Sequence, residues 1–222
     1  MNPALRASAA HIFVDSLESI ELSQDDAHHL LRVLRLRDGE SVTVSDGQGS
    51  WRACAVAADA LRPVGDVVFE PANARLTIAS AIPKGDRLEW MVQKLTELGV
   101  DEIVLLHCER SVVRWKGDRG AQQLTRLTRV AREAAMQSRR VWLPTVRGPV
   151  DFAEAAALPG TVVADPDGAA LTMASVVLIG PEGGLTEAER ELCAQSVNLG
   201  RNILRVETAA VAAAAILGCG GR

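Results

Sequence analysis

Two glycine-bearing turns in the C-terminal fifth of this 222-residue chain hold the residues best suited to chemistry. The first, Gly180-Pro181-Glu182-Gly183-Gly184, follows the apolar run Val176-Val177-Leu178-Ile179. The second, Leu199-Gly200, continues through Asn202-Ile203-Leu204 to a cation and a carboxylate, Arg205 and Glu207. Glycine has no Cβ, so such turns bend sharply and leave peptide groups uncovered for a ligand. The first turn is no P-loop, because no Gly-Lys-Ser/Thr follows it, and the GxGxxG dinucleotide spacing is missing there. One GPEGG turn alone is as often an ordinary strand-to-helix connection. Two in succession, each ending a short apolar run, point to a binding site.

The surrounding pattern says which elements carry these turns. Val176 to Ile179 is too short for a helix and rich in β-branched residues, which predicts an interior parallel strand. Thr186 with Glu189 three residues on is a capping box, so a helix begins at about Glu187. A short strand and the second turn follow, and Glu207-Thr208 opens an Ala-rich helix over 209–217. Upstream, Leu76–Ile82, Glu102–His107 and Thr161–Ala164 predict strands. Asp86 with Glu89 predicts a capped helix, carrying Leu88, Met91, Val92, Leu95 and Leu98 on one face and stopped by Gly99 in a left-handed conformation. A long helix is expected over Gln122–Arg140, with a short strand at Val141–Leu143. Alternation of this kind implies an α/β domain with a largely parallel sheet, from residue 75 to 222.

Residues 1–72 have another character, with Pro71–Ala74 as the linker. Residues 1–9 read as a loose arm. Strands are expected at His11–Val14, Ser19–Leu22, Glu40–Ser45, Trp51–Ala57 and Val64–Phe69, with a hairpin turn at Asp46-Gly47-Gln48-Gly49. A short helix, Ala27 to Leu34, capped by Asp25 or Asp26, would place Leu30, Leu31 and Leu34 on one stripe.

Net charge is −4, yet its distribution is uneven. Between residues 110 and 147 there are 10 basic residues (Arg110, Arg114, Lys116, Arg119, Arg126, Arg129, Arg132, Arg139, Arg140 and Arg147) against 2 acidic ones, Asp118 and Glu133. Such a local excess attracts phosphates despite an acidic total, although a solvated helix face would carry the same charges. Apolar residues make up 48% and charged residues 23%, an ordinary globular balance. No apolar run is long enough to span a membrane and no signal-like N-terminus is present, so a cytoplasmic protein is expected. Cys54, Cys108, Cys193 and Cys219 lie far apart, with no ligand spacing, so neither disulfides nor a metal are expected.

The segments IGPEGGLTEAE and LGRNILRVETA resemble the C-terminal signature of the SPOUT methyltransferases, specifically the RsmE family. KGDRLEWMVQKLTELGVDEIVLLHCERSVV and HHLLRVLRLRDGESVTVSDGQG extend the resemblance over nearly the whole chain. It implies a small PUA-like β-barrel followed by a SPOUT domain whose C-terminal part is tied in a trefoil knot. It further implies a homodimer and transfer of methyl from S-adenosyl-L-methionine to N3 of a uridine in 16S rRNA, in the small (30S) subunit. Cofactor contacts would fall on Leu178, Ile179, Gly180, Pro181, Glu182, Gly183, Gly184, Leu199, Gly200, Ile203, Leu204, Arg205 and Thr208. RNA would be met by His28, Arg32, Arg35, Arg110, Arg114, Arg139 and Arg140. The N3 imide of uridine is a poor nucleophile while protonated, so Arg205 is the candidate for stabilising the uracil oxyanion or holding a phosphate, and Glu207 for accepting the proton directly or through water; the alternative is that the pair simply caps the helix and fixes the loop. The chain departs from the family at His11, where an arginine is usual, and at Arg139, where a glycine is usual. Open alternatives are another RNA target (tRNA or 23S rRNA), a non-catalytic assembly factor, or a nucleotide-binding protein.

Overall fold

The computed structural model describes residues 1–58, 60–115 and 118–219, with only the backbone of Cys219 included. Lys116, one of the basic residues counted above, lies outside the described residues. Two compact units emerge: residues 1–72 with 135–143, and residues 73–134 with 144–222.

In the first unit the expected loose arm is instead a short helix, α1 (Pro3–Ala7), capped by the Asn2 side chain and anchored by buried Leu5. Strand β1 (Ala10–Phe13) follows. Ser19–Leu22 forms no strand; Ile20 and Leu22 pack on the core from an irregular segment. The helix α2 (Gln24–His28) is capped by Ser23 rather than by either aspartate, and it passes into a π turn over His29–Val33. That wider turn shifts the phase of the side chains. Leu30 is therefore fully buried while Val33 and Leu34 face solvent, breaking the expected three-leucine stripe. β2 (Ser41–Ser45), β3 (Ser50–Ala57) and β4 (Ala60–Phe69) complete a sheet of order β1-β2-β3-β4, parallel at β1/β2 and antiparallel thereafter.

Residues 135–143 return to this unit and are fastened by polar contacts. The Val141 carbonyl accepts from Ser45 Oγ and Gly49 N, each at 3.1 Å, and Trp142 Nε1 donates to the Glu70 carbonyl at 3.0 Å. The expected strand at 141–143 is reduced to a single bridge, Gln48 to Trp142. His11 is the central tie. Its Nε2 lies 3.0 Å from the Arg140 carbonyl and its Nδ1 2.9 Å from Thr43 Oγ1. A neutral ring with the proton on Nε2 satisfies both contacts, donating to the carbonyl and accepting from the hydroxyl. Burial pulls its pKa down to about 4; the carbonyl bond opposes this shift and the Arg139 charge adds to it.

The unfolded chain therefore takes up a proton at His11 before the folded chain does. Stability from this residue is complete above the ordinary histidine range and drains away as pH falls from about 6.5 towards 4. Between pH 7 and 5 the loss should be about 2 kcal/mol. Urea denaturation of the protein and of His11→Gln at both pH values measures it as the difference between the two pH dependences. Parallel dependences would show that His11 does not carry the effect.

The second unit begins with β5 (Thr77–Ala81), α3 (Arg87–Glu97) and β6 (Glu102–His107). Helix α3 buries Leu88, Met91, Val92 and Leu95 as its spacing requires, and Gly99 follows at φ +84°. Asp86 precedes the helix in an αR conformation and makes no capping bond, while Glu89 pairs with Arg126 at 2.8 Å. The capping box expected there is not formed. α4 (Asp118–Gln137) starts earlier and ends earlier than expected, and its last turn belongs to the first unit. The chain then forms β7 (Thr145–Asp151), α5 (Phe152–Ala156), β8 (Thr161–Ala170), β9 (Val176–Ile179), α6 (Glu187–Glu191), β10 (Ser196–Asn198) and α7 (Val206–Cys219). Six strands run in the order β10-β8-β9-β5-β6-β7, every neighbouring pair parallel. β9 is paired on both sides and buried throughout, which is what its uninterrupted apolar run demands. Its carboxyl end sits where the chain order switches across the sheet, the usual place for a ligand crevice in an open α/β sheet.

Candidate cofactor site

The two glycine turns meet around one cavity of about 220 Å³. Ile179, Gly180, Pro181, Glu182, Gly184 and Leu185 line one side, and Leu199, Gly200, Asn202, Ile203 and Leu204 line another. Val206 and Ala209 from the start of α7 and Ala164, Asp165 and Pro166 from β8 complete it, with Arg190 of α6. Leu178, expected here, is wholly buried in the sheet. Thr208 and Arg205 are exposed beside the cavity without lining it. Sequence reasoning missed Asp165, Pro166 and Arg190.

Side-chain bonds hold the first turn in shape. Thr186 Oγ1 accepts from Glu189 N, and Glu189 Oε2 accepts from Thr186 N at 2.9 Å, the capping box read from the sequence. Glu189 is buried, and its other oxygen accepts from Glu109 N at 2.9 Å, tying the loop after β6 to the start of α6. Arg110 reaches the same turn, donating from Nη1 to the Gly183 carbonyl at 3.3 Å and the Leu185 carbonyl at 3.5 Å. Beside them the Cys108 thiol is pushed up to about 12, by burial first and by the Glu189 charge second. It is no nucleophile at neutral pH.

Gly183 faces Arg110, whose Cβ would lie 3.3 Å from an added methyl, so its substitution would press on the arginine rather than fill the cavity. Gly180 is the wall glycine: a Cβ there would come within 2.9 Å of Leu185 Cγ, a side chain packed in the core. Gly180→Val should weaken S-adenosyl-L-methionine binding by about tenfold or more, and an unchanged affinity by isothermal titration calorimetry would remove this turn from the site.

The second turn is fixed by Asn198, which accepts from Gly200 N at 2.7 Å and donates to the Pro166 carbonyl. At its far end Glu207 is buried; Oε1 lies 3.5 Å from Arg87 Nε and Oε2 has no hydrogen-bond partner among the described residues.

Of the residues expected to meet RNA, His28, Arg32 and Arg35 are exposed together around the π turn, Arg35 at φ +54°. Arg114 is exposed and donates to the Glu109 carbonyl at 3.1 Å. Arg139 adopts φ +59°, the left-handed conformation in which glycine is at ease. Its guanidinium turns back onto the carbonyls of Ser8, Ala9 and Met136, at 3.1, 3.2 and 3.0 Å. Arg140 is half-buried and gives its carbonyl to His11.

The lining fits a compact cation with an apolar body better than a polyphosphate. Ile179, Leu185, Leu199, Ile203 and Leu204 offer apolar surface, and the charged members are two carboxylates, Asp165 and Glu182, against one arginine. The capping box also occupies amides at the start of α6 that a phosphate would need. Among the described residues there is no group of three or more His, Cys, Asp or Glu able to hold a metal, and no helix is long and apolar enough to cross a membrane.

Residues 70–218 match the RNA methyltransferase domain family and residues 22–60 the RNA methyltransferase PUA domain. Ribosomal RNA small subunit methyltransferase E of Bacillus subtilis is 30% identical over 88% of this chain and 88% of its own length. The Synechocystis protein of the same name is 34% identical over 89% of this chain and 72% of its own. The crystal structure of a ribosomal RNA small subunit methyltransferase E from Neisseria gonorrhoeae, bound to S-adenosyl methionine, superposes with a TM-score of 0.78 at 29% identity. It covers 93% of this chain and 95% of that one. A Legionella pneumophila protein solved with bound cofactor SAM gives 0.81 at 26% identity, over 94% and 96% of the two chains. With both family models matched in order along the chain and relatives of one name aligned over nearly nine-tenths of it, the chain belongs to the RsmE family of SPOUT RNA methyltransferases.

Proposed function

We propose that the protein transfers a methyl group from S-adenosyl-L-methionine to N3 of a uridine in 16S rRNA, acting on the small ribosomal subunit. The observation that carries this reading is the single cavity enclosed by the two glycine turns, in a chain of the RsmE family. The cofactor supplies an electrophilic methyl group. The protein's part is to hold it against backbone and apolar walls, to place the base, and to manage the imide proton. Leu199, Ile203 and Leu204 wall the adenine, while peptide groups of Gly180–Gly184 and Gly200 meet its polar edge. Arg205, exposed beside the cavity, stabilises charge on the uracil oxygen, and Glu207 takes the proton directly or through water.

His28, Arg32, Arg35 and Arg140 form the first unit's RNA contact, and Arg110 and Arg114 form the second unit's. Arg139 acts there by fixing backbone rather than by reaching outward. The chain is further proposed to be cytoplasmic, knotted through the second turn, and dimeric. Exposed Met173, Leu192 and Ile216, grouped around a groove that ends on α7, support the dimer.

Mass-spectrometric mapping of 16S rRNA from a strain lacking the gene tests the function. Loss of one methyluridine, restored by the intact gene, is the expected result. A complete 16S pattern with a mark missing from tRNA or 23S rRNA would keep the chemistry and change the target.

A further inference from the structure

We propose that Asp165 and Arg190 read the zwitterionic amino-acid end of the methyl donor, Arg190 taking its carboxylate and Asp165 its ammonium. This rests on the cofactor reading above. Three charged side chains line the cavity, and two of them are paired with each other on one wall: Arg190 Nε lies 3.4 Å from Asp165 Oδ2. The carboxylate is anchored, because Oδ1 accepts from Asp167 N at 3.0 Å, and the next residue, Pro166, is held through its carbonyl by Asn198. The arginine side chain is more than half exposed, at 55%, against 19% for the aspartate, so the arginine is the member free to swing.

An ion pair on one wall of a mostly apolar cavity is a poor match for most of what could enter. A phosphate would use the arginine and be repelled by Asp165 and Glu182. A ribose diol would use the aspartate and leave the guanidinium idle. An α-amino acid carries both charges a few bonds apart, so it can replace each member's partner at once without stranding a charge. The adenosine portion of the donor makes no such demand and is served by the two turns.

Calorimetric titration with four ligands tests this, using the intact protein, Arg190→Gln and Asp165→Asn. S-adenosyl-L-methionine and S-adenosylhomocysteine keep the amino-acid end; 5′-methylthioadenosine lacks it; decarboxylated S-adenosylmethionine lacks only the carboxylate. Both substitutions should weaken the first two ligands about tenfold, and leave 5′-methylthioadenosine within about twofold. Arg190→Gln should also erase the preference of the intact protein for the donor over its decarboxylated form. Equal losses for all four ligands would make the pair a wall brace and overturn the proposal, as would no loss at all. Thermal melting of each variant separates a local effect from unfolding. If the intact protein bound none of the four, the cofactor reading itself would fall; binding without discrimination would sink only the inference about this pair.

Discussion

Glu207→Gln should slow methyl transfer by about 10²- to 10³-fold in a single turnover, with donor affinity changed by less than about threefold. The carboxylate is buried at the first turn of α7, next to the second glycine turn, and its neighbours Val206 and Ala209 line the cavity while it does not. One oxygen faces Arg87 at 3.5 Å and the other has no partner among the described residues, an arrangement that costs stability unless it serves something. Glutamine keeps the shape and removes the basic oxygen, while the Arg87 partner is exposed enough to be hydrated by itself. Arg205→Ala, tested beside it, should lose turnover with intact donor binding, because Arg205 is exposed and lies outside the cavity lining. Transfer of label from the donor to purified small subunits measures both variants. Near-normal turnover would leave Glu207 as a helix-end charge favouring the N-terminal dipole and nothing more.

Glu189→Ala should cost about 2–4 kcal/mol of unfolding free energy. One carboxylate here satisfies Glu109 N, Thr186 N and the Thr186 hydroxyl, in a buried position. Removing it takes away the reciprocal half of the capping box, though Thr186 Oγ1 still accepts from the backbone N of residue 189, and leaves two peptide N–H groups without their acceptor, each a desolvation penalty. The loop after β6, which carries Arg110 onto the carbonyls of Gly183 and Leu185, would lose its fastening as well. Donor affinity should therefore fall along with stability. Glu189→Gln, which keeps an acceptor oxygen, should recover part of both. Denaturant midpoints with titrations on the same samples decide it; a stability loss below about 0.5 kcal/mol would mean the loop is held by other contacts.

Where the signal was local, the sequence carried it. The apolar run of β9, the turn after it and the Thr186–Glu189 box are each contained in a few neighbouring residues, and each formed where expected. β7 was invisible because Gly148-Pro149 interrupts it, and the outer half of β8 because Pro166, Asp167 and Gly168 look like a loop. Both are strands because the parallel ladder beside them supplies partners that lie far away in sequence. The roles of Asp165 and Arg190 were hidden for a similar reason: nothing about an aspartate and an arginine 25 positions apart announces that they share a cavity. Arg110 could be read only as part of a basic run, since its carbonyl partners sit more than seventy residues onward. Asp86 failed as a cap although its spacing was right, because its backbone is already helical and cannot aim the side chain back at the first amides.

The return of residues 135–143 has a consequence for how the molecule is made. The N-terminal sheet draws the Val141 carbonyl, the Trp142 indole and the Arg140 carbonyl from a stretch that is synthesised only after β5, α3, β6 and most of α4. A nascent chain cannot finish its first unit and then begin its second, as beads on a string would. The early sheet must wait, with Ser45 and His11 lacking their later partners, until the middle of the polypeptide has left the exit tunnel.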